Sequence, residues 1–218
     1  MTGDVKVSIA ARAAQELEPG EIVNLGIGIP NLIPGLLDDG ANVFLHTENG
    51  LLGVGPRPGE ATLDPDLIDA AKQPVTALPG AAYFDSAQSF AMIRGGHIDV
   101  AVLGALQVSI AGDVANWAMP GKDVLGVGGA MDLVVGARRV IVTMTATSST
   151  GEPKVVSECT YPLTARAAAD VVVTELSVFR LRDGALVLTE LLGDATVERV
   201  RAAAGAPFDI DLGDRRAA

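Results

Sequence analysis

The chain is poor in the residues that build covalent and metal frameworks. Its 218 residues include one cysteine, Cys159, and two histidines, His46 and His97. A single cysteine cannot form an internal disulfide, which fits a reducing compartment and a cytoplasmic location. We interpret Cys159 as a small buried hydrophobic residue. No CxxC or HxxxH spacing occurs, so we expect no metal site.

The chain also lacks an excess of positive charge and any long apolar run. Its 27 acidic residues outnumber its 16 basic ones, which gives a formal net charge of −11 at pH 7. This balance argues against nucleic acid and anionic membranes as partners, although a local group of donors can still hold an anionic ligand. No apolar run approaches the length of a membrane span, and the N-terminal residues do not have the pattern of a signal peptide.

Aliphatic residues and glycine dominate what is present. Hydrophobic residues make up 49% of the chain, and aromatic residues only 4%. This composition is typical of a parallel α/β core covered by helices. Short apolar runs alternate with helical patterns, and no low-complexity linker or internal repeat divides them. We therefore predict one α/β domain over residues 1–218, with a core at about 5–205, a tail at 206–218 and an open, mostly parallel sheet flanked by helices.

The same patterns locate most of the elements. The predicted helices lie near 5–18, 31–38, 86–94 and 195–204, with one more after Gly129. The predicted strands lie at 22–25, 43–47, 100–103, 106–110, 140–144, 171–174 and 178–181. Asp85 and Asp194 are the predicted helix caps, and Asp183-Gly184 predicts a hairpin turn that adds antiparallel edge strands. Residues 53–66 are rich in proline and glycine and are predicted to form a loop.

The tripeptide Glu48-Asn49-Gly50 carries the strongest chemical signal, because it follows the apolar run 43–47 directly. Asn-Gly favours positive backbone φ, so we expect a sharp bend that aims the glutamate outward. A carboxylate with apolar, glycine-rich flanks is a candidate acid, base or nucleophile, and the residues alone leave all three open. His46 lies two residues earlier on the same strand face, either packing or tuning that carboxylate.

Two glycine-rich turns are the second signal. Neither Gly26-Ile27-Gly28 nor the run from Gly126 to Gly129 has the third glycine of a dinucleotide-binding fingerprint or the lysine of a P-loop. Each turn either packs a strand against a helix or directs backbone N–H groups at an anion or a developing oxyanion. Asn24, at the carboxyl end of a predicted strand, is either a turn cap or a ligand-facing residue.

Taken together, these segments resemble the B (beta) subunit of the family I 3-oxoacid CoA-transferases. The resemblance extends in order from about residue 5 to residue 205. It is carried by residues 23–30, 48–50, 84–87, 93–97, 103–105, 112–117, 120–122 and 128–134. Thr47 stands where the family motif has serine, and it keeps the hydroxyl group.

The resemblance implies a mechanism and a set of site residues. Glu48 corresponds to the glutamate that becomes a covalent glutamyl-CoA thioester in a ping-pong reaction. The resemblance assigns Gly128 and Gly129 as backbone oxyanion donors, Gly126 as lining of the CoA channel and Asn24 as an active-site amide. His46, Asn49 and Gly50 are possible lining residues. No metal or redox cofactor is implied, since coenzyme A is a substrate. The family is built from A and B subunits, so the expected partner is a separate A subunit in a hetero-oligomer.

Three functions are compatible with these residues. The leading one is transfer of CoA from succinyl-CoA to a 3-oxo acid, either 3-oxoadipate or acetoacetate. The second is an acyl-CoA hydrolase in which Glu48 is the base that activates water. The third is a non-catalytic ligand-binding module on the same type of fold.

Overall fold

Helices are few and short in the computed structural model, which describes residues 2–38, 40–121 and 126–213. The α-helices of these residues are α1 (Thr2–Ala14), α2 (Ser86–Arg94), α3 (Ala130–Gly136) and α4 (Val197–Ala203). Two 3₁₀ segments, Pro30–Leu36 and Glu60–Thr62, accompany them. The first replaces the helix predicted near 31–38, because Pro34 lies inside it and its ring would clash with the carbonyl four residues earlier in an α-helix. None of the helices is both long and apolar enough to cross a membrane.

Thirteen strands lie in the same part of the chain. They are β1 (Ile22–Leu25), β2 (Phe44–Thr47), β3 (Leu51–Val54), β4 (Ala77–Tyr83), β5 (Val100–Gly104), β6 (Gln107–Ser109), β7 (Val114–Ala115), β8 (Arg139–Thr143), β9 (Val155–Val156), β10 (Val171–Val173), β11 (Ser177–Arg182), β12 (Ala185–Leu191) and β13 (Asp209–Ile210).

Ten of these strands form one sheet in the order β13-β12-β11-β10-β8-β5-β1-β2-β3-β4. The five central strands, from β10 to β2, are parallel to one another. Antiparallel pairs flank them, β2 with β3 and β3 with β4 on one side, and β10 with β11 and β11 with β12 on the other. This confirms the predicted α/β class with antiparallel strands toward the edges. Strands β6, β7 and β9 form a separate small sheet.

The central strands are buried on both faces, as their continuous apolar runs predict. One face, with Val23, Leu45 and Val100, packs against Ile9, Ala10 and Ala13 of α1 and against Ile33. The opposite face, with residues such as Ala101, Leu103 and Val142, packs in one cluster with Ile93 of α2, Leu133 of α3 and Val200 of α4. The sheet therefore separates two apolar layers, and its carboxyl edge is left for polar groups.

Ion pairs connect α1 and the residues just after it to β11 and β12, toward one edge of the large sheet. The Arg12 guanidinium donates to Glu190 of β12 at 3.1 and 2.6 Å. The Arg180 guanidinium of β11 donates to Glu16 at 2.9 and 2.7 Å. Arg12 and Glu16 lie 2.7 Å apart, so the four groups form one partly buried network.

Three predictions of local structure are corrected. The loop predicted at 53–66 is wrong at its start, because β3 extends through Gly53 at a register shift, where glycine accommodates a φ of +88°. Asp194 does not cap α4. Thr196 does, by accepting from the Arg199 N–H at 3.2 Å, while Asp194 pairs with the Arg199 side chain. The tail predicted at 206–218 contains β13, which pairs with β12.

Candidate active site

A tight turn places Glu48 between β2 and β3 at the carboxyl edge of the parallel strands. The Gly50 N–H donates to the Thr47 carbonyl at 3.0 Å, which closes the turn. Gly50 has a φ of +129°, and a Cβ there would lie 2.1 Å from the Phe84 carbonyl oxygen. Only glycine fits this position. The predicted bend is therefore present, and Gly50 is the residue of the pair that takes positive φ.

The neighbours of Glu48 hold the turn in place. The Thr47 hydroxyl donates to Asn49 Oδ1 at 2.8 Å and accepts from the Ala70 N–H at 2.8 Å. The Asn49 amide donates to the Ile68 carbonyl at 2.7 Å. Asn49 and Gly50 are predicted as possible lining residues. The contacts given above lie within the turn itself and with the segment that contains Ile68. The hydroxyl that Thr47 shares with serine is the group that makes these contacts.

A hydrogen-bond chain leads from the Glu48 carboxylate into the core. Asn24 on β1 is fully buried, and its Nδ2 donates to Glu48 Oε2 at 3.1 Å. The same Nδ2 is 3.1 Å from His46 Nδ1 on the adjacent β2, and His46 Nε2 is 3.2 Å from the Ser89 hydroxyl on α2. The parallel register of β1 and β2 sets Asn24 directly beside His46. The structure therefore joins the three polar residues singled out on these strands.

This chain fixes the protonation of His46. Because the Asn24 Nδ2 group can only donate, His46 Nδ1 must accept, and the ring proton lies on Nε2 toward Ser89. His46 is 3% exposed and stacks on Phe84 with ring centroids 5.7 Å apart. Burial lowers the pKa of His46 to about 4. The imidazole is thus neutral at physiological pH and keeps the Asn24 amide turned toward Glu48.

The orientation of Asn24 has a cost that the carboxylate offsets. Asn24 Oδ1 is buried and accepts no hydrogen bond from the described residues. Leaving such an acceptor unpaired costs about 1–3 kcal/mol, and a hydrogen bond to a charged group is worth about 1.5–3 kcal/mol. The hydrogen bond to the Glu48 carboxylate thus offsets the cost of the unpaired Oδ1, and the Asn24 amide keeps its Nδ2 toward Glu48.

The glycine run before α3 lies beside this carboxylate. A Cβ on Gly129 would lie 3.6 Å from Glu48 Cγ and 3.1 Å from the Phe90 ring. A Cβ on Gly126 or Gly128, which have φ of +114° and +57°, would meet open space. The structure thus places Gly129 next to Glu48 and leaves open space around Gly126 and Gly128. Lys122, in the segment 120–122 that carries part of the resemblance, lies outside the described residues.

Sequence reasoning did not find Ser89 and Phe90. Ser89 and Ile93 are the buried residues of α2 and lie one turn apart, so they share the face that packs on the sheet. The sequence does contain a signal for Ser89. It lies one helical turn before the apolar residue Ile93, on a helix that Asp85 caps. Phe90 follows it and packs against Gly129.

Cys159 lies outside this site and carries no sign of reactivity. It is half-buried, its thiol lies 3.6 Å from the Asp113 carbonyl, and burial raises its pKa to about 11. A thiol of this kind stays protonated and is a poor nucleophile. Among residues 2–38, 40–121 and 126–213, no group of three or more His, Cys, Asp or Glu side chains is placed to hold a metal.

Known proteins are similar in sequence to this chain over nearly its whole length. The family model described as coenzyme A transferase matches residues 6–203. The chain is 51% identical to the beta subunit of the acetate CoA-transferase of Escherichia coli (strain K12), over 98% of both chains. It is 49% identical to the B subunit of a probable succinyl-CoA:3-ketoacid coenzyme A transferase of Bacillus subtilis (strain 168), over 95% of this chain and 96% of the other. It is 47% identical to the B subunit of the 3-oxoadipate CoA-transferase of Pseudomonas putida, over 93% and 95%.

Solved structures agree on the fold. An acyl-CoA transferase apoenzyme of Escherichia coli O157:H7 matches with a TM-score of 0.78 and 21% identity, over 95% of this chain. This chain spans 42% of that longer polypeptide. The sequence matches extend over nearly all of the separate beta or B subunits, and the predicted resemblance is confirmed. The chain belongs to the coenzyme A transferase family, in which it is of the B (beta) type.

Proposed function

We propose that Glu48 is the nucleophile of a ping-pong CoA transfer, and that this B subunit carries it into a complex with an A subunit. The observation that supports the proposal most is the position of the carboxylate. It is half-buried on a turn that only glycine can close, and one oxygen is fixed by a fully buried amide. Of the two oxygens, Oε1 accepts no hydrogen bond from the described residues and is free to attack.

The first half-reaction moves CoA onto the enzyme. Glu48 Oε1 attacks the thioester carbonyl of the donor, and the carbon–sulfur bond breaks. CoA departs as a thiolate, and an acyl-glutamyl anhydride remains on the enzyme. The thiolate then attacks the Glu48 carbonyl carbon, and the donor leaves as a free carboxylate. The product is a glutamyl-CoA thioester. The acceptor acid reverses these steps, and Glu48 is regenerated as a carboxylate.

Charge develops on the Glu48 side-chain oxygens in the steps that attack its own carbonyl. Asn24 Nδ2 already donates to Oε2, so that donor lies where the oxyanion forms. Gly128 and Gly129 are the proposed backbone donors, and Gly126 the proposed lining for the CoA arm. Loss of one oxyanion donor typically lowers kcat by about 100–1,000-fold. A Cβ at Gly129 would narrow the approach to Glu48.

The proposed donor is succinyl-CoA and the proposed acceptor is a 3-oxo acid, either 3-oxoadipate or acetoacetate. Relatives at similar identity are named for acetate, 3-ketoacid and 3-oxoadipate substrates, so overall identity does not separate them. No metal or redox cofactor enters these steps. Because the family divides its site over two subunits, we expect the purified chain to show no turnover without a partner and the complex with an A subunit to show it.

Covalent trapping tests the role of Glu48. The complex is incubated with acyl-CoA, reduced with borohydride and digested, and the peptide that contains Glu48 is analysed by mass spectrometry. We expect conversion of the Glu48 side chain to the alcohol, and loss of both trapping and transfer in Glu48→Gln. Glu60→Gln, at an exposed glutamate on a 3₁₀ segment, is the matched control and should behave as wild type.

Two outcomes would contradict the proposal. An active complex whose Glu48 stays unmodified would exclude the covalent route. Release of free CoA thiol at the full rate with no acceptor acid present would instead identify an acyl-CoA hydrolase with Glu48 as its base.

A further inference from the structure

A cleft opens at the same edge of the sheet as Glu48. Its volume is about 330 Å³, and it lies where β1, β5 and β8 end. Its polar and glycine lining includes Lys6, Gly28, Gly104, Asn116, Thr145 and Lys154. Ligands of parallel α/β sheets bind at this edge. Glu48 follows β2, the next strand beyond β1, and is not part of the lining.

Lys154 is the unusual residue of this cleft. Its half-buried ammonium donates to the Ala105 carbonyl at 3.3 Å and to the Thr145 hydroxyl at 3.5 Å. Both acceptors are neutral, both contacts are long, and the ammonium forms no salt bridge with any described residue. Glu175 is the nearby carboxylate, but its Oε2 accepts from the Ala146 N–H at 2.9 Å. A partly desolvated cation with such weak partners can still gain from an anion.

The rest of the lining adds to the positive character. Lys6 of α1, an exposed residue, adds a second cationic side chain to the lining, in a chain whose net charge is −11. Asn116 Oδ1 accepts from the Thr164 hydroxyl at 2.6 Å, which leaves the amide nitrogen as a donor. Two cationic side chains and one amide donor thus line the same cleft.

We propose that this cleft is an anion subsite in which Lys154, assisted by Lys6, binds a carboxylate or phosphate group of a substrate whose reacting carbonyl lies at Glu48. The inference rests on the proposed function. The Lys154 ammonium contacts residues just after β5 and β8, which are two and three strands from β2. Because neighbouring strands lie about 4.8 Å apart, the two charges are separated by roughly 10–15 Å. The ligand therefore carries its anion several bonds away from the reacting carbon. Burial also lowers the pKa of Lys154, and a bound anion opposes this effect.

Equilibrium binding to the complex of A and B subunits tests the subsite without turnover. Calorimetric titrations compare wild type, Lys154→Met and Lys154→Arg, with Arg201→Met on α4 as the exposed-cation control. Four probes separate the sources of the anion: coenzyme A, pantetheine, a dicarboxylic acid and the monocarboxylic acid of equal chain length. A charged hydrogen bond of ordinary strength predicts about 10- to 100-fold weaker binding of the anionic probe to Lys154→Met. Lys154→Arg should recover most of it, and Arg201→Met should match wild type.

The pattern of loss identifies the group that Lys154 binds. Weaker binding of coenzyme A, with pantetheine unchanged, assigns the subsite to phosphate. Weaker binding of the dicarboxylic acid, with the monocarboxylic acid unchanged, assigns it to carboxylate. Affinities of Lys154→Met within twofold of wild type for all four probes would overturn the proposal. Should Lys154→Met fail to fold, Lys6→Met at an exposed position must weaken binding of the same probe, and no change there would overturn it. Failure of the Glu48 chemistry appears separately, as absence of the trapped peptide.

Discussion

Protonation of His46 should make the protein less stable in mild acid. His46 is 3% exposed and lies between the Asn24 amide, the Ser89 hydroxyl and the Phe84 ring. A charged imidazole would be buried there without a counter-ion in direct contact. It would also turn an Nδ1–H toward the Asn24 Nδ2 group, which can only donate. The neutral ring is therefore the form that the fold accepts.

The size of the effect follows from the two pKa values of this histidine. The ordinary value is 6.5, and burial lowers it to about 4 in the folded protein. The unfolded chain thus binds a proton below pH 6.5, whereas the folded chain does so only below about pH 4. Stability from this residue is complete above pH 6.5 and is lost as the pH falls from 6.5 toward 4. At 1.36 kcal/mol per pKa unit, the full loss is about 3 kcal/mol.

Urea unfolding of the purified protein from pH 7.5 down to pH 4 measures this loss. The test variant is His46→Gln, whose side-chain oxygen can still accept from Asn24 but does not titrate. His97→Gln, at the exposed second histidine, is the control. The free energy of unfolding should fall by about 3 kcal/mol more in wild type and His97→Gln than in His46→Gln. Parallel pH profiles for wild type and His46→Gln would refute the reasoning.

Two further predictions concern the scaffold of the site. Gly50→Ala should destabilise the protein by more than about 2 kcal/mol and abolish transfer, because its Cβ would meet the Phe84 carbonyl at 2.1 Å; Gly35→Ala, where a Cβ meets nothing within 4 Å, should change the urea midpoint little. Asp85→Ala should cost about 1 kcal/mol, since the carboxylate accepts from the Gln88 N–H at 2.8 Å, while Asp85→Asn should retain most of the stability. Equal urea midpoints for Asp85→Ala and wild type would contradict the second prediction.

The sequence predicted the centre of the fold better than its edges. The strands β1, β2, β5, β8 and β10 are short apolar runs, because both of their faces are buried, and such runs are easy to recognise. Strand β4 lies at the sheet edge and is mostly exposed, with a glycine and a proline in it, so neither alternation nor an apolar run marks it. Strand β3 contains Gly53, and its sequence is typical of a loop. Only the structure shows that the strand continues through this glycine at a register shift.

The candidate site divides in the same way. Strand alternation placed His46 correctly on the face of Glu48, and the end of β1 placed Asn24 at the ligand edge. Their contact with each other depends on the register of β1 against β2, which no local pattern contains. Ser89 comes from a helix 43 residues after His46 and required the packing of α2 on the sheet. The structure gives the positions of the predicted site residues, and their roles, that of Glu48 included, stay predictions.

The ion-pair network of α1 has a consequence for synthesis of the chain. Arg12 and Glu190 are 178 positions apart, and Glu16 and Arg180 are 164 apart. A ribosome that adds about 5–20 residues per second makes the first helix on the order of 10 s before the strands it pairs with. During that interval Arg12 and Glu16 have only each other, although most of the apolar residues that pack on the helix are already made. Nascent chains arrested before residue 177 should therefore lack these ion pairs, and protection of the helix from protease should increase once residues 180 and 190 have been added.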